Sequence, residues 1–121
     1  MGLEVCVLAS GSSGNAIYVA SAKTRLLIDA GLSARQMAVR LDQLGVPPES
    51  INGICVSHEH GDHVAGLRVL QKRHGIPIYA NAGTLSGIRR QPKAHEISAR
   101  VFETGASFEI GDIAIEPFSV P

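Results

Sequence analysis

A chain of 121 residues with 11 basic and 11 acidic side chains has zero formal charge, so its overall field advertises neither a nucleic-acid nor a membrane surface. At 45% hydrophobic residues it is an ordinary globular chain, able to bury roughly two thirds of its unfolded surface in one core. No apolar run approaches the ~20 residues that cross a bilayer, and the start lacks the basic and apolar stretches of a secretion signal, so a soluble cytoplasmic protein is expected.

Strands and helices alternate along the sequence. Leu3, Val5 and Val7 alternate with other residues and predict a first strand, and Ile17-Tyr18-Val19 predicts a second beyond a Gly/Ser turn. A third runs from Thr24 to Asp29, and its continuous Leu26-Leu27-Ile28 predicts burial on both faces. Ser33 is a good N-cap for a helix to about Leu44, with Ala34, Met37, Ala38, Leu41 and Leu44 as its apolar stripe. Gly45 and Pro47-Pro48 stop it. Ile54-Cys55-Val56 reads as a buried strand ending at Ser57. A helix then runs from near His63 to about His74, with Leu67 and Leu70 inward, Lys72, Arg73 and His74 at its negative pole, and Gly75 closing it. Pro77 to Ala80 is a short strand, and Gly83 to about Arg90 a short helix. Val101 to Glu103 and Ser107 to Ile110 are strands, and Gly111-Asp112 is a hairpin turn into Ile113 to Phe118. Cys6 and Cys55 fall in strands and read as buried free thiols. No repeat or linker divides the chain, which is expected to be one structural unit.

Chemistry concentrates in His58-Glu59-His60-Gly61-Asp62-His63, which holds three of the five histidines. Imidazole nitrogen and carboxylate oxygen suit borderline divalent metals. On extended chain, His58, His60 and Asp62 would face one pocket while Glu59 points away. Gly61 would permit a sharp turn, and Asp62 would cap the next helix, so that His63 addresses a neighbouring point. That spacing suits two adjacent metals better than one. A zincin HExxH would need a second His at position 62, where this chain has Asp, and no PCxxC follows as in a zinc deaminase. A satisfied polar turn, or one structural zinc bound by all four residues, stays open as a plainer reading. Asp29 is read either as a turn residue or as a group that orients the metal site from behind. Ser10-Gly11-Ser12-Ser13-Gly14-Asn15 is either a simple hairpin turn or a nest of amides and hydroxyls for an anionic group. His95, with Arg89, Arg90, Lys93 and Arg100, forms a local basic patch that is either solvated surface or a DNA contact.

The window Ser57-His58-Glu59-His60-Gly61-Asp62-His63 resembles the S/T-H-x-H-x-D-H signature of the metallo-β-lactamase superfamily. Leu26-Leu27-Ile28-Asp29-Ala30-Gly31 resembles that superfamily's earlier motif, a hydrophobic strand ending in Asp. The opening Leu8-Ala9-Ser10-Gly11-Ser12-Ser13-Gly14-Asn15 is similar to the YycJ/WalJ-type subfamily of bacterial DNA-processing exonucleases. The resemblance covers residues 1–121 but only the first part of such a protein. It implies an α/β fold, the first half of an αββα sandwich, with a mixed β-sheet and helices on one face. It also implies two divalent metals, zinc first with manganese or iron as alternatives, that activate water. His58 and His60 would bind the first metal, and Asp62 and His63 the second, with Asp62 also catalytic through orienting the nucleophile. Ser10, Ser12, Ser13 and Asn15 are the candidates for substrate contact.

The implied function is a metal-dependent hydrolase, a phosphodiesterase or DNA exonuclease with DNA as substrate. The same centre would also serve a lactam, a lactone or a thioester, and a non-catalytic metal-binding module is the reading from another class. The superfamily takes further ligands from later in its sequence, a third His, a bridging Asp and a last His, and no His follows His95 here. The expectation is therefore an N-terminal fragment, cut just after Pro117-Phe118-Ser119-Val120-Pro121, weak in metal binding and inactive alone.

Overall fold

The computed structural model describes residues 2–94 and 96–118. Strands β1 (Glu4–Ala9), β2 (Ala16–Ala20) and β3 (Arg25–Ile28) form an antiparallel meander. Strands β4 (Gly53–Cys55), β5 (Ile78–Ala80) and β6 (Arg100–Val101) then continue the sheet in parallel, in the order β1-β2-β3-β4-β5-β6. A separate hairpin pairs β7 (Phe108–Ile110) with β8 (Ile113–Ile115). The helices are α1 (Ala34–Gln43), α2 (Gly61–Val64), α3 (Leu67–His74) and α4 (Ala82–Arg89), with a 3₁₀ turn over Pro48–Ser50. Parallel strands require crossovers, and α1, α3 and α4 supply them. The mixed α/β fold class agrees with the expectation from sequence.

Each sheet face has its own partner. Helix residues Met37, Leu41, Leu67, Leu70, Leu85 and Ile88 pack on one face against Tyr18, Leu27, Ile54 and Ile78. On the other face Leu26, Cys55 and Tyr79 meet Ile110 and Ile113 of the hairpin. Adjacent Leu26 and Leu27 are both fully buried, one in each core, as their continuous apolar run predicts. The rings of Phe102 and Tyr79 flank Phe108 at 5.0 and 5.8 Å, fastening the hairpin to β5 and the end of β6. The hairpin does not reach β1, whose Val5 and Val7 are 62% and 60% exposed.

Local signals act as their chemistry dictates at most element ends. The Ser33 side chain caps α1 by accepting the Gln36 amide, and Asn81 caps α4 by accepting that of Thr84. Gly75 closes α3 with φ +66, a left-handed conformation that glycine adopts without a Cβ penalty. Leu44 departs from its predicted stripe, lying at the C-cap of α1 and 41% exposed. The expected helix from His63 to His74 is two helices, interrupted at Ala65-Gly66. The Gly66 amide donates to Ala30 O at 2.8 Å, which draws the backbone towards the end of β3. Asp62 is not the N-cap. That position is His60, without a side-chain cap, while Gly61 is helical and Asp62 lies in the first turn.

Candidate metal centre

Parallel pairing of β3 with β4 brings Asp29 and Ser57 together where the two strands end, with Asp29 N–H donating to Cys55 O at 2.8 Å. Asp29 is 5% exposed and has φ +64, a backbone region that Asp and Asn tolerate better than most residues. Its Oδ1 accepts the Ser57 amide at 2.7 Å. Its Oδ2 lies 2.5 Å from Ser57 Oγ and 2.7 Å from His63 Nδ1.

Donor counting gives the hydrogen-bond directions that satisfy this network with Asp29 ionised and Ser57 donating once. An ionised carboxylate only accepts, so the single Ser57 hydroxyl hydrogen goes to Asp29 and His63 carries its proton on Nδ1. Ser57 Oγ then accepts from His58 Nδ1, 2.9 Å away. With Nδ1 engaged in each ring, Nε2 is the nitrogen left open to a metal when the imidazole is neutral. One buried carboxylate sets the tautomer of two histidines, directly for His63 and through Ser57 for His58.

Asp62 stands beside His63, with Oδ2 3.5 Å from His63 Nε2. Two ligands about 2.1 Å from one ion at the tetrahedral angle sit roughly 3.4 Å apart, so this pair fits a shared zinc-sized cation. Asn15 holds Asp62 from the other side, and Gly31 makes the approach possible. Gly31 N–H donates to Asn15 O at 2.8 Å, and a Cβ on Gly31 would overlap the Asp62 carbonyl oxygen.

His58 and His60 are exposed, and their ring centroids are 6.1 Å apart. His58 lies 4.9 Å from His63 by the same measure, so the three imidazoles share one rim. Among the described residues no three of the His, Cys, Asp and Glu side chains converge enough to hold an ion by themselves. The donor chemistry and the Asp62–His63 spacing fit a divalent metal, but the described donor set is incomplete. Glu59 turns away, as alternation predicts: its side chain packs on Gly87 and its carbonyl accepts from Gln91 Nε2. A cleft of about 570 Å³, lined by Ile28, Ser57, His58, Asn81, Phe102 and Ile115 among others, opens beside His58. At its floor, burial and then the nearby Asp29 charge push the Cys55 thiol up to about 12.

Of the candidate loop residues, Ser10, Ser12 and Ser13 are exposed on the β1–β2 connection, whereas the Asn15 amide is engaged with Gly11 and Asp62. In the basic patch, Arg89 Nε donates to Ile97 O at 3.0 Å and Arg100 to Tyr79 Oη at 2.9 Å, while His95 lies outside the described residues, as do Ser119, Val120 and Pro121. Cys6 and Cys55 are free thiols. Ser57 and Gly31 are the residues to which sequence reasoning assigned no role. Both lie inside the two motifs that carry the resemblance, and that was the available signal.

A model of the metallo-beta-lactamase superfamily matches residues 9–118. The chain is 37% identical over 123 residues to exodeoxyribonuclease WalJ of Streptococcus pneumoniae serotype 2 (strain D39 / NCTC 7466), covering 99% of this chain and 46% of that protein. It is 38% identical over 121 residues to exodeoxyribonuclease YycJ of Bacillus anthracis, with the same coverage of 99% and 46%. The match falls on the N-terminal portion of these proteins, and the chain spans about half their length. Among solved structures, Rm3 metallo-beta-lactamase superposes with a TM-score of 0.72 at 25% identity, over 91% of this chain and 46% of that one. The subclass B3 enzyme MEM-A1 from a soil metagenome gives 0.72 at 28%, over 91% and 47%. Sheet order, the Asp29-anchored histidine rim and these matches agree: the chain belongs to the metallo-beta-lactamase superfamily.

Proposed function

We propose that this chain is the metal-holding first half of a metal-dependent phosphodiesterase, a DNA exonuclease similar to WalJ and YycJ. The observation that carries the reading is the Asp29–His63–Asp62 arrangement, which engages His63 Nδ1 and leaves Nε2 3.5 Å from Asp62 Oδ2. Asp62 and His63 would hold one divalent ion and His58 and His60 another, with zinc first and manganese or iron as alternatives. When bound, such ions supply a hydroxide-like nucleophile at neutral pH and neutralise charge on the attacked phosphate. Asp62 would orient that nucleophile, and Asp29, bound to His63 Nδ1, would leave Nε2 facing the metal. Ser10, Ser12 and Ser13 stay as candidate contacts for an anionic group, being exposed hydroxyls on the loop that Asn15 ties to Asp62.

The remaining ligands would come from a second half, which would also cover the exposed β1 face at Val5 and Val7. The length of the relatives supports this, since the chain corresponds to 46% of each. Among the described residues no helix is long and apolar enough to cross a membrane, and the two free thiols suit a reducing compartment, so the proposal places the protein in the cytoplasm.

The test is cleavage by the full-length protein of a linear DNA duplex, with a β-lactam assayed in parallel and bound metal counted. Zinc-dependent release of nucleotides, abolished by His60→Ala and by Asp62→Ala, is the expected result. Cleavage retained in either variant would overturn the assigned roles, and lactam turnover without nuclease activity would overturn the substrate.

A further inference from the structure

Asn15 meets Asp62 across 47 positions of sequence and touches it three times. Its backbone N–H donates to Asp62 O at 2.7 Å, and its side-chain Nδ2 lies 3.2 Å from that oxygen and 3.1 Å from Oδ2 of the carboxylate. The same Nδ2 donates to Gly11 O at 2.9 Å, and Oδ1 accepts the Gly11 amide at 3.1 Å. The amide orientation follows from these partners. Nδ2 faces three acceptors and Oδ1 faces one donor, and a flipped amide would face oxygen to oxygen at each of the three.

With two hydrogens for three acceptors, one Nδ2 hydrogen is shared among them, and the contact with Oδ2 restrains the Asp62 carboxylate. The same Oδ2 lies 3.5 Å from His63 Nε2. An amide is a suitable clamp because it adds no charge. A lysine there would compete with a cation for the carboxylate, and an aspartate would repel it. The pair of hydrogen bonds to Gly11 also closes the 11–15 segment into a ring, so the Asn15 side chain has little freedom to swing towards a substrate.

We infer that Asn15 is a positioning residue for Asp62, holding its carboxylate in the orientation that accepts a divalent cation, rather than a substrate contact. The inference rests on the metal reading above. Residues that hold a ligating group from behind typically contribute 10–100-fold to metal affinity.

Zn(II) alone is titrated into the metal-free full-length protein against a chromogenic chelator, for wild type, Asn15→Ala and Asn15→Asp. Asn15→Asp keeps the size and the acceptor for the Gly11 amide but removes the donor to Asp62. Both variants should bind at least one zinc about 10–100-fold more weakly. Their kcat on DNA should recover when zinc is raised, and KM at saturating zinc should stay within about twofold of wild type. Wild-type zinc affinity in both variants overturns the inference, and a raised KM with unchanged affinity makes Asn15 a substrate contact. Loss of folding in both metal-free variants, read by circular dichroism, also overturns it, leaving Asn15 purely architectural. Wild type that binds zinc without cleaving DNA sinks the nuclease reading but leaves the affinity comparison intact. Wild type that binds no zinc sinks both.

Discussion

The two halves of the histidine window are held very differently. Asp62 and His63 are half-buried and gripped from behind, His63 by Asp29 and Asp62 by Asn15. His58 and His60 are exposed; among the described residues His58 has a single tether at Ser57, and no side-chain hydrogen bond of His60 is found. The contrast shows what this stretch of chain can organise alone. Side chains that pack against the ends of β3 and β4 are pre-set by the fold, because their partners are the buried Asp29 carboxylate and the Asn15 amide. Side chains on the extended segment before α2 project outward and have fewer partners among the described residues.

Removing the anchor of the gripped half should have the largest effect. Asp29→Ala leaves the Ser57 amide, the Ser57 hydroxyl and His63 Nδ1 without their acceptor, and it also places alanine at φ +64. Urea unfolding of the metal-free protein should show a loss of about 4 kcal/mol. Asp29→Asn, which tolerates that backbone, should cost about half as much. Equal losses in the two would locate the effect in packing rather than in the network. Gly31→Ala should follow at about 3 kcal/mol, since its Cβ would overlap the Asp62 carbonyl. Gly61→Ala, with nothing within 4 Å of its Cβ, should stay within about 0.5 kcal/mol of wild type.

The imidazoles sharpen the same contrast. His63→Ala removes a bond to a charged acceptor and should cost about 1.5 kcal/mol, whereas His60→Ala should change metal-free stability by less than about 0.5 kcal/mol. A destabilised His60→Ala would show that the outer half is anchored after all. The smallest effect is a slope with pH. The folded-state pKa of Cys55 lies above the thiol's usual 9.0, at about 12, so the native state keeps a proton that the unfolded state releases. This contribution to stability is therefore complete below pH 9 and is lost as pH rises towards about 12. Denaturation midpoints of wild type should fall more steeply over that window than those of Cys55→Ala, and parallel lines would contradict the assignment.

Much of the fold was legible because it is locally encoded. The Leu26-Leu27 run announced a strand buried on both faces, and Ser33 and Gly75 marked helix ends through bonds within a few residues. The break between α2 and α3 was not legible, because Gly66 leaves the helix to bond Ala30, 36 positions upstream. Asp62 looked like an N-cap for a similar reason. Cap chemistry describes a local competition, and here Asn15 and His63 engage the carboxylate instead.

By itself the sequence determined the donor types, their spacing and the sheet that carries them, since periodicity and residue chemistry are properties of short segments. Only the tertiary structure decided which ring nitrogen of His58 and of His63 is engaged and which group holds the Asp62 carboxylate. Those choices belong to Asp29 and Asn15, which lie 34 positions before His63 and 47 before Asp62, and only the folded sheet brings them into hydrogen-bond range.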